Sequence, residues 1–172
     1  LYAFYPGNII GYYKNVEQTE WLKKLFRFRL DNANQYIGWS AAWAICLAAR
    51  LREKETVSTV IRSMLSHSVF KNLFCVHPPF YFQIDGNLGF VAGINEMLLT
   101  EENGTVELLP ALPDNYAKSG KVTDMIVNGA KISFEWQNGL VTKVTSNKPI
   151  AIYNTHLSET VEYSNIIITE VN

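Results

Sequence analysis

Apolar side chains recur at helical spacing through the first hundred residues and alternate through the rest, which predicts an α plus β chain. Helices come first and an antiparallel β meander follows. Two further observations carry that order. All the arginines and three of the four tryptophans lie before residue 104. After it, Asn128-Gly129 and Asn138-Gly139 each separate two alternating runs, the strongest short signal for a hairpin. Pro110 and Pro113 break the chain near the change of rhythm, so residues 1–103 form a helical part and 104–172 a β part.

Each element has its own warrant. Thr19 to Leu30 places Trp21, Leu22, Leu25, Phe26 and Arg29 at helical spacing, with Thr19 as N-cap and arginines in the last turn. Ser40 to Leu51 is alanine-rich and apolar nearly all round, which predicts a buried helix. Thr56 to Ser66 puts Val57, Val60, Ile61, Met64 and Leu65 on one face. Beyond a Pro-Pro loop, Leu88 to Thr100 makes a fourth helix with Val91, Ile94, Leu98 and Leu99 inward. Strands are expected at Thr105 to Leu109, Lys121 to Val127, Ala130 to Trp136, Leu140 to Thr145, Ile150 to Tyr153 and Asn165 to Val171.

Composition excludes several functions. The 172 residues are 48% hydrophobic and carry a net charge of −1, enough apolar surface to fold and no basic excess to grip nucleic acid. No run reaches the ~18 apolar residues of a membrane span. Cys46 and Cys75 cannot build a disulfide framework, and the spacing of Cys75 and His77 without a second cluster argues against a metal. Nothing points to a cofactor. The chain opens on Leu1 with no methionine before Met64, which predicts a processed chain or a fragment of a longer one.

Chemistry concentrates between His77 and Gly89, a rigid aromatic loop leading into a helix. Asp85 is its central residue. The plain reading is a helix cap by Asp85 or Asn87. The sharper one is a catalytic carboxylate, because a helix N-terminus faces it with positive partial charge and suits a general base. His77, held extended by Pro78, either bonds a substrate hydroxyl or serves its own loop. Trp39 and Trp43, four apart, read as core first and as a sugar platform second. Asn103-Gly104-Thr105 matches a glycosylation sequon at an expected turn.

Six blocks in order then give a resemblance: Leu1 to Asn8, Gly38 to Trp43, Asn72 to Phe74, His77 to Leu88-Gly89, Ala92 to Leu99, and Leu108 to Pro113. Together they resemble the C-terminal part of glycoside hydrolase family 95, mostly α-L-fucosidases with some α-L-galactosidases. The resemblance implies helices of a partial (α/α)6 barrel followed by a small antiparallel β-sandwich-like domain. It implies an inverting exo-hydrolase, with Asp85 matching the base-side aspartate and His77, Gln83, Asn87 and Trp39 binding substrate. Tyr81 and Phe82 intervene where the family joins His-Pro-Pro-Phe directly to Gln-Ile-Asp-Gly-Asn. The family's general-acid glutamate, its two water-holding asparagines and its His-Arg-His motif lie upstream of Leu1, and no motif supports Glu96 as the acid. A lone carboxylate without its acid predicts negligible turnover by this chain alone. An oligosaccharide is then the partner of the longer enzyme, exported by family habit, and open helix faces predict self-association. The alternative is a non-catalytic carbohydrate-binding or interaction module.

Overall fold

A computed structural model describes residues 1–32, 37–77 and 80–171. It divides into two compact units, Leu1–Met97 and Leu98–Asn172. The Pro78-Pro79 turn lies outside the described residues.

The first unit is built from α1 (Val16–Asn32), α2 (Trp39–Arg50), α3 (Lys54–His67) and α4 (Ile84–Leu98), with a two-residue ladder of β1 (Val76–His77) and β2 (Tyr81–Phe82). As its composition demands, α2 is the core: Ala41, Ala42, Ile45, Leu47, Ala48 and Ala49 are at most 1% exposed. Val57, Val60, Ile61 and Met64 of α3 are buried with it, while Leu65 is open. Helix α1 starts earlier than its spacing predicts. The Asn15 carbonyl accepts the Thr19 N–H, so Thr19 is a buried helical residue rather than the N-cap. Only Leu22 and Phe26 of its apolar side chains are buried; Trp21 and Leu25 face out.

Helix α4 departs most from expectation. It starts at Ile84, and its inward face is not Val91 and Ile94 but Gly86, Gly93 and Met97, with Gly89 between. A Cβ at Gly89 would stand 2.9 Å from Ala42 Cβ, and one at Gly93 2.6 Å from Ile45 Cγ2. A Cβ at Gly86 would collide with the Cys75 thiol. The glycines therefore let α4 lie directly on α2. That close approach outweighs their poor helix propensity, which in the sequence alone places the helix start later.

Two arginines near the end of α2 fasten the opening segment. Arg50 meets Glu96 at 2.8 and 3.1 Å, donates to the Phe4 carbonyl and Asn8, and lies over the Tyr5 ring. Arg52 lies over the Tyr12 ring. Cys46 is buried within this cluster, and burial pushes its thiol up to about 11.

The second unit is one six-stranded sheet: β3 (Leu99–Glu102), β4 (Thr105–Leu108), β5 (Ser119–Val127), β6 (Ala130–Gln137), β7 (Leu140–Tyr153) and β8 (Leu157–Thr169). Asn103-Gly104, Asn128-Gly129 and Asn138-Gly139 each take positive φ at both residues, which closes the three expected turns tightly. Leu99 and Thr100, expected at the end of the fourth helix, open β3 instead. The sheet is mixed rather than antiparallel throughout: β7 takes both β4 and β8 in parallel. Its two expected strands are one, bent at Asn147-Lys148-Pro149, where three exposed residues interrupt the inward alternation and the register with β8 shifts. Asn147 Oδ1 accepts the Lys131 N–H and Asn165 Nδ2 donates to the Ser146 carbonyl, so the bend leaves these groups satisfied. After the bend the chain returns, and β8 follows β7 in the same direction.

Candidate active site

The residues singled out in the sequence converge on the N-terminus of α4. Asp85 stands in its first turn, exposed, and its carboxylate makes no hydrogen bond among the described residues. Neither Asp85 nor Asn87 caps the helix, because the helix begins before both. The residue just before it, Gln83, accepts the Gly86 N–H on its backbone carbonyl. The Gln83 side chain turns to α2, where Oε1 accepts the Trp39 N–H at 3.0 Å. That N–H opens α2 and has no partner within its own helix. Asn87 faces the loop before β1: Oδ1 accepts the Cys75 N–H and Nδ2 donates to the Leu73 carbonyl, both at 2.8 Å.

Cys75 is fully buried against Gly86. Burial raises its thiol pKa first, and the nearby Asp85 carboxylate adds to the rise. Sequence reasoning missed this neighbour. Gly86, Gly89 and Gly93, at helical spacing, were the signal that another chain segment lies against that face.

The segment leading into α4 is aromatic and exposed. Phe80, Tyr81 and Phe82 are 80%, 69% and 52% exposed, and Trp39 is 48% exposed, far more than such side chains usually show. Phe82 packs on Phe74 with ring centroids 4.9 Å apart. His77 pairs with Tyr81 across β1 and β2 and is exposed. Trp39 lies 6.0 Å from Trp43, whose Nε1 donates to the Tyr5 carbonyl. Glu96 is held by two guanidinium nitrogens of Arg50, Nε and Nη2, in a bidentate pair.

Aromatic side chains with a few polar groups among them are what small-molecule sites are commonly lined with. Residues 1–98 match the Glycosyl hydrolase family 95 catalytic domain, and the chain belongs to that family. It is similar to Alpha-L-fucosidase 2 of Arabidopsis thaliana, 29% identical over 151 residues, 81% of this chain and 17% of that protein. It is also similar to Probable alpha-fucosidase A of Aspergillus oryzae (strain ATCC 42149 / RIB 40), 23% identical over 166 residues, 85% of this chain and 23% of that protein. The chain thus spans about a fifth of the length of these curated relatives.

Proposed function

We propose that this chain is the C-terminal part of an inverting exo-glycoside hydrolase that removes terminal α-L-fucose or α-L-galactose from oligosaccharides, working outside the cytoplasm. The helical part supplies the last helices of an (α/α)6 barrel and the β part its C-terminal domain. The observation that carries the reading is the Asp85 carboxylate, exposed and without a hydrogen-bond partner among the described residues, inside the family-matched stretch. In an inverting enzyme the base takes a proton from water on the face opposite the leaving group, while a separate acid protonates the glycosidic oxygen. Asp85 fills the first role. The acid comes from outside this chain, since Glu96 is committed to Arg50. Trp39 and His77 present ring faces and a donor to the sugar.

The test is turnover of a chromogenic α-L-fucoside. The chain alone should give none above background. Joined to the rest of the catalytic domain it should turn over, and Asp85→Asn should then lower kcat ~10²–10⁴-fold, the usual worth of general base catalysis. A full-length Asp85→Asn variant that keeps most of its turnover removes Asp85 from the mechanism. The exposed aromatic cluster also favours a second reading, a sugar-binding module without catalysis. That reading predicts binding of fucosylated oligosaccharides by the chain alone, lost in Tyr81→Ala.

A further inference from the structure

We propose that Gln83 and Asn87, the two amides flanking Asp85, are positioning residues that fix the carboxylate and do not themselves meet the sugar. The inference rests on the reading of Asp85 as the base.

Asn87 lies in the first turn of α4, and Gln83 stands just before that helix. Asp85, two residues before Asn87, lies about 200° round that turn from it, on the side of the exposed Leu88. A sugar meeting the carboxylate therefore lies on the far side of the helix from the Asn87 amide.

The bonds agree with the phase. Gln83 Oε1 is taken by the Trp39 N–H, which joins the start of α4 to the start of α2. Asn87 uses both ends of its amide on backbone, the Cys75 N–H and the Leu73 carbonyl. Leu73 has a φ of 68°, a left-handed conformation that a leucine adopts only when its surroundings hold it there. Asn87 clasps the carbonyl of that residue. The turn bearing Asp85 is thus held at two points. A missing methyl at Gly86 lets Cys75 close the gap between them.

The two amides can be told apart by chemistry. A carboxylate at position 83 still accepts the Trp39 N–H, so Gln83→Glu should keep its tie. A carboxylate at position 87 still accepts from Cys75 but cannot donate to Leu73, so Asn87→Asp should keep half of its tie.

The experiment is NMR on the isotope-labelled chain, reading amide exchange at Trp39 and Cys75 and the ¹³C carboxyl signal of Asp85. Gln83→Ala should speed Trp39 exchange ~10-fold, the factor expected for losing one hydrogen bond, while Gln83→Glu leaves it unchanged. Asn87→Ala should do the same to Cys75. In both alanine variants the Asp85 carboxyl signal should move or broaden, and Gln83→Glu should restore it. Where an alanine variant does not fold, Asn87→Asp carries the test: Cys75 stays protected while the Asp85 signal shifts. An Asp85 signal unmoved in the folded variants that lose these bonds overturns the proposal. That outcome is separate from the turnover test, since Asp85 can be the base without these ties, and the ties can hold around an Asp85 that is not.

Discussion

In the sheet unit the large apolar side chains point inward from successive strands: Val106, Leu108, Ile132, Phe134, Val141, Val144, Ile150 and Ile152 are all at most 5% exposed. In the helical unit α2 is buried on nearly every side, yet its neighbours keep rows of apolar side chains open. Trp21, Leu25 and Phe28 run along α1, and Ile84, Leu88 and Val91 along α4, each at helical spacing. Scattered apolar exposure is ordinary, but a row at helical period is a packing face. The sheet unit buries its large apolar side chains, whereas the helices leave these rows exposed. This fits the proposal that they are the end of a larger barrel.

The comparison can be broken at four places. Phe134→Ala empties the centre of the sheet and should cost ~3–5 kcal/mol in its denaturant transition, with helical signals unmoved. Loss of both transitions together would show that the units do not unfold separately. Arg50→Met strands Glu96, which is only 17% exposed, and should destabilise the helical unit by ~2–3 kcal/mol. The sheet's transition midpoint should stay where it is.

The third is a pH effect. The Cys46 thiol is raised from its ordinary 9.0 to about 11 by burial, so the unfolded chain gives up this proton first. Stability is then full below pH 9 and falls as pH rises toward 11, by on the order of 2 kcal/mol. The loss should appear in melting of the helical unit, and Cys46→Ala should flatten it. The smallest effect is expected on the open face. Leu88→Glu with Val91→Lys should change stability by no more than ~0.5 kcal/mol. The same pair should reduce any self-association seen by sedimentation, and a large loss of stability would mean that this row is buried.

The sequence made α2, α3 and the three Asn-Gly turns legible, because each rests on local chemistry: an apolar surround, a one-sided stripe, a backbone demanding positive φ. It misplaced what depends on a distant partner. Gly86 and Gly89 look like helix breakers until Cys75 lies against the first and α2 against the second. Pro149 looks like the gap between two strands until Asn147 and Asn165 satisfy the bend around it. Parallel pairing of β7 with β8 went unseen because such strands normally need a long crossover, and here the second half of β7 serves as one. At the site, Asp85 was legible as a residue. The bonds made by Gln83 and Asn87 were not, since the direction of a side chain follows from where the helix begins.

The return of β8 alongside β7 has a kinetic consequence. Adjacent antiparallel strands can zip together from their turn, each pair of residues bringing the next. Residues 154–156 offer no such start, because the first residue of β8, Leu157, pairs with Val141 at the far end of the preceding strand. The bend of β7 has to be in place before β8 has an edge to find. Closing that coil is then the late event in forming the sheet, while the three Asn-Gly hairpins form early.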